Sequence, residues 1–313
     1  MRRRGWKLGF FLVGALGGCG GAALLIPFIG PASQVYRVKV SPGAVTLGPG
    51  ESVILSASGY SILGNKVPTG SVLWSAQGDV SLLENGTIRP LGSQAEVRVQ
   101  REIPRGGTVV VSAVADGKSG SASVTIDPQA VARKTVVVYP PVAGLTPGFR
   151  QRFIAVVLGA GGKAESNPSV TWSVSGDIGT IDEEGFLTAA NVSAQREGKV
   201  RAALGSGEFG EADVIVRPAI EGTGEPVQLS VFPERVRLGT RSQLRFIAVA
   251  VDKEGDPVPL EGITWAVSDR NLGSIDAEGV LSTLTATGSF SVTAVLRWAQ
   301  GMLTDSAQVE VVQ

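Results

Sequence analysis

The sequence predicts an all-β protein, three tandem antiparallel β-sandwiches following a single N-terminal transmembrane helix. Three observations carry that prediction. A proline is followed thirty-two positions later by a tryptophan three times over, from Pro42 to Trp74, Pro140 to Trp172 and Pro233 to Trp265, which marks an internal repeat. The tryptophans stand 98 and 93 positions apart, a length that suits a small sandwich and exceeds any solenoid unit. Within each unit short runs alternate apolar with polar residues, the period of a half-buried strand, and no stretch after Gly30 has helical period.

The first element is the helix. Leu8 to Gly30 is a run of 23 residues without a charge, about 34 Å of helix, enough to cross a bilayer. Arg2, Arg3, Arg4 and Lys7 precede it, which places its start in the cytoplasm and everything beyond it outside. Three fates fit this segment. Pro31-Ala32-Ser33 is a weak version of the small-residue site that ends a cleaved signal. Leu16-Gly17-Gly18-Cys19 resembles the lipobox of bacterial lipoproteins, which would make Cys19 a lipidated new N-terminus. The uncharged stretch Gly20 to Gly30 favours the third, an uncleaved anchor. In that anchor Gly14 and Gly18, and Gly17 and Gly21, form small-xxx-small steps that let another transmembrane helix approach closely.

The repeat divides the chain into 1–34, cytoplasmic stub and anchor, and three sandwiches at 35–127, 128–218 and 219–313. Each opens with a strand ending in the proline, where no ladder donor is needed: VKVSP to Pro42, VVVYP to Pro140 and LSVFP to Pro233. An alternating strand follows, SVILSAS from Ser52, RFIAVVL from Arg152 and RFIAVAV from Arg245. The tryptophan strand comes next, with Trp74, Trp172 and Trp265 expected to point inward and to supply the largest share of each core. Asn85-Gly86, Glu184-Gly185 and Glu278-Gly279 suit tight hairpin turns that need positive φ. Two final strands close each unit, as in Val109 to Ile126. The linkers at Asp127 to Lys134 and Arg217 to Pro226 are short, and prolines at 128, 218 and 226 stiffen them. The expected outline is a semi-rigid rod.

These residues carry a family resemblance. A strand ending in proline, a later T-W-S strand and then G-x-I-D-x-x-G-x-L-T are similar to bacterial Ig-like domains of the group 2 type, known from intimin- and invasin-like surface proteins. Val170-Thr171-Trp172-Ser173 with Gly179-Thr180-Ile181-Asp182-Glu183-Glu184-Gly185-Phe186-Leu187-Thr188 match best. Ile263-Thr264-Trp265 with Gly273-Ser274-Ile275-Asp276 to Leu281 match nearly as well, while the first unit departs at Asp79-Val80-Ser81-Leu82. The resemblance implies an Ig-like fold and a surface or periplasmic role, and implies no catalytic residue.

Composition narrows the chemistry. Basic and acidic residues balance at 28 each, histidine is absent, and Cys19 is the one cysteine. No disulfide can cross the sandwiches, and the usual neutral-pH general base and the commonest zinc ligand are missing. Nothing forms the basic face a nucleic-acid partner requires, and no cofactor or metal is expected. Asp177, Asp182, Glu183, Glu184, Asp269 and Asp276 follow no calcium-loop spacing and fit turn capping as well. The third unit is acidic, with seven basic against twelve acidic residues from Ala219.

Two features break the repeat. The first unit carries extra residues, roughly Gly92 to Gly107, with Arg98, Arg101 and Arg105 beside Glu96 and Glu102. Such a segment is either a charged hairpin that contacts lipid headgroups or a neighbouring subunit, or, the favoured reading, an ordinary elongated solvated loop. Trp298 is the one tryptophan after the anchor outside the repeat; exposed it would suggest a sugar or protein contact, half-buried it is packing. The favoured reading is a non-enzymatic, membrane-anchored structural subunit bracing the extracytoplasmic face of a membrane complex, respiratory or photosynthetic assemblies being candidate hosts. Its partners would be integral membrane subunits, met by the anchor and first domain. The alternative is a cell-surface adhesion or carbohydrate-binding protein with a surface ligand or glycan as partner.

Overall fold

In the computed structural model the described residues are 34–129, 134–159, 162–219 and 224–313. The expected anchor, with Gly14, Gly17, Gly18, Gly21 and Cys19, lies outside them. Among the described residues no helix is long and apolar enough to cross a membrane. Apart from two 3-10 turns the described elements are all strands, arranged as three Ig-like sandwiches.

The prolines mark the point where each opening strand changes sheets. In the first domain Arg37–Ser41 runs antiparallel to Ser52–Tyr60, and after Pro42 the chain crosses to pair Ala44–Leu47 in parallel with Lys118–Ile126. The second domain repeats this with Thr135–Tyr139 on Ile154–Leu158 and Val142–Leu145 on Phe209–Val216. In the third, Gln228–Phe232 pairs Ile247–Val251 and Arg235–Gly239 pairs Gly301–Val312. A residue without an N–H ends one ladder at no cost in donors, so proline is suited to the crossing. All three Xaa-Pro bonds, at Ser41, Tyr139 and Phe232, are cis.

The tryptophans differ from expectation in degree. Trp74 stands opposite fully buried Ala113, Trp172 opposite Ala202 and Trp265 opposite Ala294, so each ring points inward. Their strands are the edge strands of their sheets, however, so the rings close the flank of the sandwich and stay half-buried. The largest fully buried side chains are instead Tyr60, Phe153, Phe232 and Phe246, packed among Val, Leu and Ala.

The hairpins at Gly179–Ile181 with Phe186–Ala189, and Gly273–Ile275 with Val280–Thr283, form as read. The aspartate that opens each turn holds it shut, since Asp182 Oδ1 accepts from Phe186 N at 2.7 Å and Asp276 Oδ1 from Val280 N at 2.7 Å. The first domain is a correction. Asn85-Gly86 lies in a 3-10 turn, Asn85 at φ 57°, and the hairpin is Arg89–Leu91 with Gln94–Arg98, turning at Gly92. Residues 94–98 are therefore a sheet strand on Ser52–Ser56, not part of an inserted loop.

The rod is also corrected. Lys163–Ala164 of the second domain pairs in parallel with Arg237–Leu238 of the third, which fuses strands of both into one seven-stranded sheet. The first domain touches both others. Lys39 meets Asp213 of the second at 2.7 Å, and Lys66 meets Glu234 of the third at 2.7 Å. Strand pairing and side-chain contacts at the junctions fold the chain back on itself.

Candidate functional site at the domain junctions

Repeat-equivalent residues converge where the domains meet. Ser41, Tyr139 and Phe232 each precede a crossing proline. The Tyr139 and Phe232 rings stack with centroids 6.0 Å apart and 28° between planes. Ser41 Oγ donates to Tyr139 Oη at 3.5 Å. Lys66 Nζ sits 5.6 Å from the Phe232 centroid while bonded to Glu234, whose Oε1 also accepts from Ser58 Oγ at 2.9 Å. Burial pushes the Tyr139 hydroxyl up to about 12, the Ser41 contact opposing and the Glu234 charge adding to it. Tyr60, fully buried beside them, is raised well above its ordinary value by burial and then by Glu234.

A second junction is built on Arg217, the first residue of the second linker and 5% exposed. Its Nη1 lies 2.6 Å from Asp256 Oδ1, and its Nη2 donates to Gly255 O at 3.0 Å. Asn65 of the first domain donates to the same carbonyl at 2.7 Å. Three domains thus share one buried polar knot. At a third junction Lys39 and Arg37 of the first domain and Lys199 of the second surround Asp213. Burial pushes that carboxyl upward, but the three cations outweigh it and hold it below the usual carboxylate range.

Between the second and third domains lie two adjoining clefts. One, about 340 Å³, is lined by Asn167, Trp172, Glu183, Glu184, Arg152 and Arg245. The other, about 520 Å³, is lined by Arg150, Arg152, Phe186, Trp265, Leu260 and Glu278. The Arg150 and Arg152 guanidiniums lie 4.0 and 4.7 Å from the Phe186 centroid. Arg150 is bound to Asp182 at 2.8 Å.

The residues singled out in the sequence are not gathered into one site. Arg98 bonds Glu96 at 2.8 Å and Glu84 at 3.4 Å, and Arg105 bonds Asp79 at 2.8 Å. Their charges are answered within the first domain, and Arg101 is exposed beside Gly50. Trp298 is half-buried at the tip of the last hairpin, packed over Gly301. Among the described residues no group of three or more metal-ligating side chains occurs. The junction residues were visible only as repeat positions; their convergence depends on how the domains pack, which no period encodes.

No family model matches the chain, and no curated protein matches it. Similar solved structures include protocadherin gamma B7 extracellular cadherin domains 1–4, 17% identical over 88% of this chain and 76% of that one, with a TM-score of 0.23. Drosophila N-cadherin EC1-4 is 13% identical over 88% and 76%, at 0.28. Surface layer protein SbsC, domains 1–6, is 10% identical over 90% and 40%, at 0.24. At these scores the likenesses carry no argument about arrangement or activity.

Proposed function

We propose that the chain is a non-enzymatic structural module, held at the extracytoplasmic face of a membrane by its N-terminal segment, whose three Ig-like domains act as one body. The observation that supports this best is the Arg217 knot, in which a linker residue, a third-domain loop and a first-domain side chain share the Gly255 carbonyl. A string of independent spacers has no use for a buried ion pair at its linker. Burying those charges is costly unless geometry and further hydrogen bonds compensate, so the arrangement favours a fixed shape over an extended one. The chain's lack of histidine and the position of its one cysteine support a role without catalysis.

Such a module would present a rigid platform to neighbouring membrane subunits, with Gly14, Gly17, Gly18 and Gly21 packing the anchor among their helices. Purification of the full chain in mild detergent tests this. Co-purification with integral membrane subunits, lost when Gly14, Gly18 and Gly21 become leucine, is the expected result. A chain that purifies alone, with or without those glycines, counts against it.

A further inference from the structure

The clefts between the second and third domains hold two arginines, Arg152 and Arg245, that make no ion pair among the described residues. Arg152 and Arg245 occupy the same place in the repeat, in Arg152-Phe153-Ile154-Ala155 and Arg245-Phe246-Ile247-Ala248. Domain packing brings both to one cleft. At the other junctions Lys39, Lys66 and Arg217 each meet a carboxylate at 2.6–2.7 Å. Arg152 makes no ion pair among the described residues; its guanidinium lies over Phe186, and its buried Nε has no hydrogen-bond partner. Arg245 Nη1 donates to a neutral group, the Glu278 carbonyl, at 2.6 Å. Burial and then the neighbouring Arg245 lower the Arg152 pKa, with Asp182 and Glu184 opposing them only in part, so an incoming negative charge is favoured at that point.

The surroundings select among anions. Arg152 is common to both clefts, which makes it the centre of a groove with Trp172 toward one end and Trp265 toward the other. Indole faces pack well on flat, partly apolar ligands with polar edges. Glu183, Glu184 and Glu278 also line the groove and offer acceptors only. A phosphate dianion or the side chains of a polyacidic peptide offer these acceptors no donor. A sugar acid suits all three sets at once: its carboxylate takes the arginine fork, its hydroxyls donate to the glutamates, and its ring face lies on the aromatics. The two clefts, about 340 and 520 Å³, each fall within the range of an ordinary small-ligand site.

We propose that the groove centred on Arg152 and Arg245, between the second and third domains, binds a carboxylate-bearing oligosaccharide. This goes beyond the structural role above and stands whether or not the chain has membrane partners.

The test is titration of the full chain in mild detergent with tetragalacturonate, following tryptophan fluorescence and heat. Two controls are the same tetrasaccharide with its carboxyls reduced to alcohols, and an oligoglutamate peptide. The expected result is saturable binding of the uronate with a change in tryptophan emission, weakened at least tenfold by R152Q with R245Q. The reduced sugar and the peptide should bind at least tenfold more weakly. R152K, which keeps the charge but not the fork, should fall between wild type and the double variant, and serves if the double variant unfolds. Absence of uronate binding to the wild-type chain overturns the proposal. So does uronate affinity unchanged in folded R152Q/R245Q or R152K, or a peptide or neutral sugar that binds as tightly.

Discussion

Gly185 lies directly beneath the Trp172 indole. A Cβ on Gly185 would stand 3.1 Å from Trp172 Cε2 and Cζ2 and 2.6 Å from the Phe153 carbonyl oxygen, with φ at +83°. Gly279 repeats the relation under Trp265, at 3.2 Å from Cε2 and 2.7 Å from the Phe246 oxygen, with φ at +79°. The two halves of the repeat signature, tryptophan and glycine, are thus a single contact: the turn must pass close to let the ring close the flank.

Gly185→Ala should therefore destabilise the second domain by about 2–4 kcal/mol, combining left-handed backbone strain with overpacking. Gly148→Ala is the control. It also has positive φ, +74°, but nothing lies within 4 Å of its added methyl, so about 1 kcal/mol of backbone strain is expected alone. Urea unfolding of the two variants in parallel measures the difference, and equal losses would show that the ring contact contributes nothing.

Gly144 separates domain stability from domain arrangement. Its φ is not left-handed, yet a Cβ there would overlap the Leu63 carbonyl of the first domain. Gly144→Val should leave the secondary structure by circular dichroism unchanged while prising the first domain from the second. Small-angle scattering reads this as a rise in radius of gyration above the value for a compact body of this length, about 20 Å. A variant as compact as wild type would mean that the contact adapts at no cost.

Most of each domain was legible because strand period, crossing proline and Asp-x-x-Gly turn are local signals. The first-domain hairpin was misplaced because Asn85-Gly86 satisfies the same turn chemistry as Gly92, and only pairing of Gln94–Arg98 with Ser52–Ser56 tells them apart. The rod expectation failed for a different reason. Lys66 and Glu234, or Asn65 and Gly255, are ordinary surface residues in sequence, 168 and 190 positions apart, and nothing local records that they meet. The groove residues Arg152 and Arg245 were seen only as strand starts; that they meet follows from the parallel pairing of Lys163–Ala164 with Arg237–Leu238.

Removing one partner of the Arg217–Asp256 pair should cost more than removing both. Arg217→Met alone removes the guanidinium that faces the Asp256 carboxylate in a buried loop, an expected loss of about 3–5 kcal/mol. Arg217→Met with Asp256→Leu removes both charges and should recover much of that loss. A double-mutant cycle on chemical unfolding gives the coupling directly. Additive losses would show that the pair does not hold the linker.

The stacked junction makes the fold sensitive to alkali. Tyr139 is raised to about 12 from an ordinary value near 10, burial being the main cause. A raised folded-state pKa contributes stability that is fully present below about 10, the unfolded value, and lost as pH rises through about 12. The full effect of a shift that size is about 2–3 kcal/mol. Tyr60, raised in the same direction, adds to it. Stability should accordingly decline above pH 10, because ionising either phenol places an anion near the Glu234 carboxylate at a crowded junction. Tyr139→Phe keeps the stack on Phe232, gives up the weak 3.5 Å bond from Ser41, and removes one of the two titrating groups. Its unfolding free energy should lie close to wild type at pH 8 and fall less between pH 10 and 12, as followed by denaturant titration at each pH. If the alkaline decline keeps its full slope in this variant, the Tyr139 phenol does not titrate with folding and the junction is wetter than its packing indicates.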